Sequence, residues 1–176
     1  AVSTAVERLP WVDTASVERS WPRGLAVRIV EQVPAARWGA LGLVNTRGEL
    51  FQGDARHIPL ELPELSGPQG SEPSVAQRYL VMQGRLAEMS LRVTALRLDA
   101  RGSWEFDLAN GVTVRLGRER VDERFETFMA VASKIVAQRA SDIAYVDMRY
   151  TNGFAIGWRV GGTSRDATAE GSSHDA

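Results

Sequence analysis

The stretch that decides the fold class is residues 91–116, which read LRVTALRLDARGSWEFDLANGVTVRL. Apolar side chains recur at every second position in three runs of this stretch, a pattern typical of β-strands that are buried on one face. Asn110-Gly111 separates the second and third runs, and this dipeptide is the strongest short-range signal for a tight β-hairpin. The alternation breaks near Ala95, where we expect a β-bulge. The stretch therefore predicts three consecutive strands.

Two amphipathic helices are predicted on either side of these strands. Ser71 and Pro73 suit the start of the first helix, which continues with an apolar stripe at helical spacing made by Val75, Tyr79, Met82, Leu86 and Met89. The second helix covers about 119–138 and carries its own apolar stripe. Because each helix has one apolar face, we expect both to pack on the sheet.

Further strands are predicted before and after this unit. Residues 43–51 predict a short hairpin, and the Pro- and Gly-rich residues 52–70 predict a loop. Residues 143–150 and 154–158 predict two closing strands around a turn at Asn152-Gly153. The predicted fold class is α+β, with a curved, mainly antiparallel sheet and two packed helices.

The beginning of the chain has a different organisation. A helix that ends at Pro10 precedes two strands, at 12–20 and 25–33, joined by a turn at Trp21-Pro22-Arg23-Gly24. A helix and one hairpin cannot bury enough surface to form a domain, so we expect this block to be the second half of one. Three regions are therefore predicted, and they are a partial domain at 1–38, a β domain at 39–160 and a disordered tail at 161–176.

Composition argues against several classes of function. The formal net charge of −1 gives no overall attraction to nucleic acid, and the absence of cysteine rules out disulfides and cysteine-based metal sites. No run approaches the about 18 apolar residues of a membrane-spanning helix. The two histidines, His57 and His174, fall in the loop and the tail. We therefore predict no catalytic residue, no cofactor and no metal, although carboxylates could still converge from distant positions.

The closing strand is the feature that points to binding. Phe154 to Trp158 carries no charge and no proline, the residues with which proteins commonly protect an exposed sheet edge. If the strand lies at an edge, its free backbone groups can pair with a strand of another protein, which is recognition by β-augmentation. If the strand is central, or if the tail covers it, the same pattern has only a structural role.

Several ordered motifs resemble the FtsQ/DivIB family of bacterial cell-division proteins. They cover roughly residues 6–158 and comprise Leu9-Pro10-Trp11-Val12, Val17-Glu18-Arg19-Ser20-Trp21-Pro22, Val30-Glu31-Gln32-Val33-Pro34-Ala35-Ala36-Arg37-Trp38, Leu65-Ser66-Gly67-Pro68-Gln69-Gly70-Ser71, Arg101-Gly102-Ser103-Trp104, Leu116-Gly117-Arg118, Tyr145-Val146-Asp147-Met148-Arg149-Tyr150 and Gly153-Phe154-Ala155-Ile156-Gly157-Trp158.

The resemblance implies that FtsB binds at the closing hairpin and links the chain to FtsL. Arg149 would meet a carboxylate of FtsB, a contact for which a planar guanidinium is suited. Tyr150 and Gly153 would form an aromatic floor, and Arg101 would add a flanking contact. The strand that pairs with FtsB would consist of Phe154, Ala155, Ile156, Gly157 and Trp158.

The resemblance also implies a wider organisation. The first block would be the α-β-β half of a POTRA domain, in which Thr14, Val17 and Arg19 match a surface for upstream division proteins. The whole protein would be anchored in the inner membrane by one preceding helix, with this region on the periplasmic side at the division septum. The alternative is a POTRA-type module for outer-membrane protein assembly or secretion, a class that carries tandem POTRA repeats.

Overall fold

The computed structural model describes residues 5–40, 42–52, 59, 61–151 and 153–159 of the chain. His57, His174, Asn152 and the predicted tail at 161–176 lie outside the described residues. The first part is a two-stranded antiparallel sheet of β1 (Val12–Ser20) and β2 (Gly24–Glu31), in which Val17 pairs with Val27. Both strands were predicted, because the turn at Trp21-Pro22-Arg23-Gly24 separates two alternating runs.

A nine-stranded sheet forms the larger part of the molecule. Its order from one edge to the other is β11-β10-β9-β8-β7-β6-β3-β4-β5. The strands are β3 (Pro34–Trp38), β4 (Gly42–Asn45), β5 (Leu50–Gln52), β6 (Glu64–Ser66), β7 (Val93–Leu98), β8 (Trp104–Leu108), β9 (Thr113–Gly117), β10 (Ile143–Asp147) and β11 (Ala155–Trp158).

The centre of this sheet contains a strand that the sequence did not reveal. Residues 52–70 were predicted as a loop, but β6 pairs in parallel with both β3 and β7. A three-residue strand between Pro63 and Gly67 offers too short a run for alternation to be recognised, and its partners are remote in sequence. Since β9 and β10 also pair in parallel and the other neighbours are antiparallel, the sheet is mixed and mainly antiparallel, as predicted.

Local irregularities in the strands follow the sequence. The register of β7 with β8 shifts between Val93 and Ala95, where a bulge was predicted. The turn between β8 and β9 has Gly111 at a φ of 80°, a left-handed conformation that glycine adopts without steric cost. The hairpin predicted at 43–51 is formed by β4 and β5.

Two helical segments cover one face of the sheet. The first is α1 (Glu72–Ala87), with Pro73 in its first turn. The second runs without a break through α2 (Val121–Thr127), a π turn (Phe128–Ala132) and α3 (Ser133–Arg139). Among the described residues, no helix combines the length and apolarity needed to cross a lipid bilayer.

The core lies between these helices and the sheet. Leu65, Leu96, Phe106, Val114 and Val146, each from a different strand, are 0% exposed. From the helices, Leu86 and Phe128 are equally buried, and the Phe128 ring meets the Phe106 ring edge to face at a centroid distance of 5.6 Å. On β8 and β9 the opposite face carries Glu105, Asp107, Thr113 and Arg115, so the helices bury only one side of these strands.

The hairpin and the nine-stranded sheet are joined by the short segment between β2 and β3 and by side chains. Arg47, in the β4–β5 turn, donates hydrogen bonds to the Asp13 carboxylate on β1. The amide nitrogen of Asn45 donates to Gln32 Oε1 at 2.8 Å. The division at residue 38 remains a prediction, but Pro34–Trp38 pairs within the nine-stranded sheet and not with the hairpin.

Candidate partner-binding edge

The closing strand lies at an edge of the nine-stranded sheet. β11 pairs with β10 on one side, and no described residue pairs with its other side. The sequence left open whether this strand is central or at an edge. Among the described residues, it is an edge strand.

The direction of the backbone groups on this edge follows from two hydrogen bonds. The N–H of Met148 donates to the Arg115 carbonyl oxygen on β9 at 2.9 Å. Because alternate residues of a strand direct their backbone groups to opposite sides, Tyr145 and Asp147 of β10 face β11, where they pair with Gly157 and Ala155.

The intervening residues of β11 face away from β10. The N–H of Arg159 donates to the Asp142 carbonyl oxygen at 2.8 Å, which fixes the same alternation at the end of the strand. Ile156 and Trp158 thus direct their N–H and C=O groups to the open edge. These groups can receive an added strand without disturbing the existing ladder.

The side chains of β11 divide between the two faces of the sheet. Ile156, and Phe154 immediately before the strand, are half-buried against the core on the helical face. Trp158 is 51% exposed, and the Arg139 guanidinium of α3 lies 4.9 Å from the centre of its ring. The helical side of the edge is therefore a partly exposed apolar row that continues to α3.

Gly157 lies on the polar face, where the ring of Tyr145 covers it. A Cβ atom on Gly157 would lie 2.1 Å from the Tyr145 ring, so any side chain there would displace the tyrosine. Arg115 stacks on the same ring, with its guanidinium carbon 4.4 Å from the ring centre. The packing of the Tyr145 ring on Gly157 therefore adds a side-chain contact between β10 and β11 on this face.

Arg149 follows β10 and is tied to its own chain. Its Nε donates to both oxygens of the Asp147 carboxylate, at 2.9 and 3.1 Å, and its Nη2 donates to Oδ2 at 2.6 Å. The hydrogen bond from Arg149 holds the pKa of Asp147 below its usual range, although burial of the carboxylate opposes this effect. The Arg149 side chain nevertheless remains 54% exposed.

Tyr150 and Gly153 lie between β10 and β11. Tyr150 is 60% exposed and, with Gly153, borders a cleft of about 260 Å³ beside α2. No atom lies within 4 Å of the position that a Gly153 Cβ would take, so the backbone is open on that side. The other residues that line the cleft are Arg120, Glu123, Arg124, Thr127, Met148 and Thr151.

Arg101 lies in the β7–β8 turn at the same end of the sheet. Asp99 shapes this turn by accepting hydrogen bonds from the N–H groups of Arg101 and Ser103, both at 2.8 Å. The next residue of the turn, Gly102, approaches Arg118, and β9 ends immediately before Arg118 at Gly117. The end of β9 thus lies between Arg101 and Arg149, and the strand order places β9 and β10 between the β7–β8 turn and β11.

The residues matched to the POTRA surface do not share one face of the hairpin. Val17 and Arg19 are two residues apart on β1 and lie on the same face, whereas Thr14 lies on the other. Thr14 and Arg19 are exposed, and Val17 is half-buried.

The other large depression lies between α1 and α2 and has a volume of about 540 Å³. Both carboxylates that line it are paired with arginines. Arg78 Nη1 lies 2.5 Å from Asp122 Oδ1, and Arg85 Nη2 donates a hydrogen bond to Glu126 Oε2 at 3.0 Å. Within the described part of the chain, no group of three or more His, Asp or Glu side chains is arranged to hold a metal ion.

The sequence reasoning missed Asp147, Gly117 and Arg124, which hold Arg149 in place. The pair Asp147 and Arg149 was accessible in principle, because residues two apart in an extended segment share a face. Gly117 and Arg124 come from β9 and α2, and no local signal connects them to Arg149.

Two models of known protein families match this chain. The family model for the C-terminal part of the cell division protein FtsQ/DivIB matches residues 36–149, and the model for the FtsQ-type POTRA domain matches residues 1–32. The chain belongs to the FtsQ/DivIB family. The two matches meet where β2 ends and β3 begins, close to the predicted boundary between the two regions.

Curated proteins named cell division protein FtsQ are similar along most of the chain. The protein from Coxiella burnetii is 40% identical over 159 residues, which cover 90% of this chain and 65% of the relative. Those from Allochromatium vinosum and Xanthomonas campestris pv. campestris are 39% and 37% identical, over 86% and 89% of this chain and 60% and 56% of theirs. The chain therefore spans less than two thirds of the length of these relatives.

Proposed function

We propose that this chain is a non-catalytic scaffold of the divisome that binds FtsB, and through it FtsL, by strand addition to β11. In this role it links early and late cell-division proteins. The observation that carries the proposal is the open edge, where Ile156 and Trp158 of an uncharged strand direct outward backbone groups that no described residue pairs with. Membership of a cell-division family supports the biological setting.

The side chains around β11 suit an extended peptide that continues the sheet. Alternate residues of the added strand would meet the apolar row of Phe154, Ile156 and Trp158 on the helical face. Arg149 offers an exposed cation for a carboxylate, and Tyr150 borders a cleft large enough for a side chain. Backbone pairing would supply affinity, and these flanking groups would supply specificity.

The remaining parts of the proposal rest on the family. Residues 1–38 act as part of a POTRA domain that meets other division proteins through Thr14, Val17 and Arg19, and residues 39–160 act as the β domain. The whole protein is held on the periplasmic side of the inner membrane by one preceding helix. The match of residues 1–32 to the FtsQ-type POTRA model supports the assignment of the first region.

The first experiment tests pairing through the backbone. Ile156→Pro removes an N–H that points to the open edge, so the internal ladder is retained, as is typical of prolines on edge strands. Ile156→Ala removes the same side chain and keeps the N–H. Titration with a peptide from the C-terminal region of FtsB, followed by calorimetry, should show a loss of at least about tenfold for the proline variant relative to the alanine variant.

Equal affinities for the two variants would contradict strand addition at this edge. Absence of binding by the wild-type chain would reject FtsB as the partner. Urea unfolding of both variants shows whether each retains the fold.

A second experiment tests the flanking groups. Arg149→Glu and Tyr150→Ala should each weaken binding of the same peptide by about 2 kcal/mol or more, as expected for residues at the centre of an interface. Arg23→Glu makes the same charge reversal at an exposed position in the β1–β2 turn and should leave the affinity unchanged. Unchanged affinity in both test variants would remove Arg149 and Tyr150 from the site.

A further inference from the structure

Arg149, the exposed cation of the proposed site, is bound by a carboxylate of its own chain in the free protein. The Asp147 carboxylate contacts the side of the Arg149 guanidinium that carries Nε and Nη2. The N–H of Arg149 also donates to Asp147 Oδ1 at 3.0 Å, so one carboxylate fixes both the backbone and the side chain of the arginine. The Asp147 side chain is itself only 8% exposed.

Two further residues restrict Arg149. Gly117 has a φ of 77°, and a Cβ atom there would lie 3.0 Å from Cγ and 3.3 Å from Cδ of Arg149. The stem of the arginine thus passes through the space that glycine leaves free. Arg124 donates from Nη2 to the Arg149 carbonyl oxygen at 3.0 Å and from Nη1 to the Leu116 carbonyl oxygen at 2.8 Å, which joins this backbone to the end of β9.

The Asp147 contact leaves one edge of the guanidinium available. A guanidinium has five N–H donors, and the edge formed by Nη1 and Nη2 can bind a second carboxylate in a bidentate manner. Because the Nε edge is occupied by Asp147, the Nη1–Nη2 edge is the one that remains for a second carboxylate, on a side chain that is 54% exposed. A free arginine side chain has many accessible rotamers, and the contacts with Asp147 and Gly117 restrict that freedom here.

We infer that Asp147 is a positioning residue, which holds Arg149 so that its Nη1–Nη2 edge receives a carboxylate of the incoming strand. This inference rests on the proposed function. It adds a requirement for specificity, because the partner must place a carboxylate against the Nη1–Nη2 edge of Arg149. This position lies at the end of β10, next to the strand that would be added along β11.

The positioning role and simple electrostatics predict opposite changes in affinity when the charge of Asp147 is removed. Its negative charge repels an acidic partner and partly neutralises Arg149, so the variant Asp147→Asn should bind an acidic peptide more tightly if charge alone decides. If Asp147 positions Arg149, the same variant should bind more weakly, because ordering the side chain must then occur on binding. The sign of the change in affinity separates the two accounts.

The experiment measures the affinity of the FtsB peptide for wild type, Asp147→Asn, Asp147→Glu and Asp107→Asn. We expect Asp147→Asn to weaken binding about 3- to 10-fold, which is the cost of ordering one long side chain. Asp147→Glu retains the charge and should recover part of the affinity. Asp107 is the matched control, because it pairs with Arg97 on the same face of the sheet, and its loss of charge should leave the affinity unchanged.

A double-mutant cycle tests whether Asp147 acts through Arg149. In the Arg149→Gln background, Asp147→Asn should produce no further loss. The Arg149 Nε–H signal in the NMR spectrum of the free protein provides a second measurement, and it should exchange slowly in wild type and rapidly in Asp147→Asn.

Each outcome bears on one of the two claims. Equal or tighter binding by Asp147→Asn, additive losses in the cycle or an unchanged Nε–H signal would overturn the positioning role and leave FtsB binding intact. Absence of peptide binding by the wild-type chain would reject the proposed function, and this inference with it.

Discussion

In β8 of the nine-stranded sheet, Trp104, Phe106 and Leu108 are at most 9% exposed, whereas in β2 of the hairpin Leu25, Val27 and Ile29 are 41–62% exposed. The two strands have the same alternating pattern. They differ because α1 and α2 cover β8, and no described element covers the corresponding face of β2. The alternation of a strand therefore predicts which face is apolar, and a second layer decides whether that face is buried.

The sharpest test of this comparison is truncation in the covered sheet. Phe106→Ala removes a fully buried ring that packs edge to face against Phe125 and Phe128. We expect the free energy of unfolding to fall by about 3–5 kcal/mol, since a large cavity would remain. Urea unfolding followed by circular dichroism measures this change.

Ile29→Ala provides the contrast in the hairpin. Because the side chain is already 41% exposed, its removal should cost less than about 1 kcal/mol in the same assay. A loss close to that of Phe106→Ala would mean that β2 is covered in solution.

A smaller effect is expected in the helix that provides the covering layer. The N–H of Ser133 bonds to the Phe128 carbonyl oxygen in the π turn, and its buried hydroxyl donates to the Met129 carbonyl oxygen at 2.7 Å. Ser133→Ala should lower the free energy of unfolding by about 1 kcal/mol, because this hydrogen bond is lost in the core. A free energy of unfolding that is unchanged in Ser133→Ala would argue against a contribution from this bond.

The smallest effect on global stability is expected at the tie between the two regions. Arg47→Ala removes the hydrogen bonds to Asp13 and to Glu49. The Arg47 and Glu49 side chains are 51% and 60% exposed, and that of Asp13 is 20% exposed. Because such ion pairs at the surface contribute little, the global free energy of unfolding should change only slightly. Amide hydrogen exchange in β1 and β2 should nevertheless accelerate, because a two-stranded hairpin is marginal without support.

Arg118→Ala is the control for that experiment. Arg118 pairs only with the adjacent Glu119 among the described residues and is 69% exposed. Its removal should leave exchange in β1 and β2 unaltered, and the same result for Arg47→Ala would show that the tie does not support the hairpin.

Much of the fold was predictable because its signals are local. Asn110-Gly111 predicted a hairpin, and the apolar stripe from Val75 to Leu86 predicted a helix. Both predictions were confirmed. The central strand β6 was missed because three residues carry no usable period and parallel pairing joins segments far apart in the chain. The π turn was missed because no residue pattern distinguishes it from an α-helix.

The candidate site was predicted in part for the same reason. The uncharged strand at Phe154 to Trp158 was evident, and Arg149 and Tyr150 were assigned through the family resemblance. Gly117 and Arg124 were not, since their contacts with Arg149 come from β9 and α2.

The sequence alone determined the alternating faces, the turns and the absence of charge in the closing strand, because these depend on neighbouring residues. Only the tertiary structure decided that β11 lies at an edge of the described sheet, that the backbone groups of Ile156 and Trp158 point to that edge, and that the Asp147 carboxylate already binds Arg149. Strand order and backbone direction depend on pairing between remote segments. Bringing these remote segments together costs conformational entropy, which packing across the whole sheet offsets. No short stretch of sequence encodes that packing.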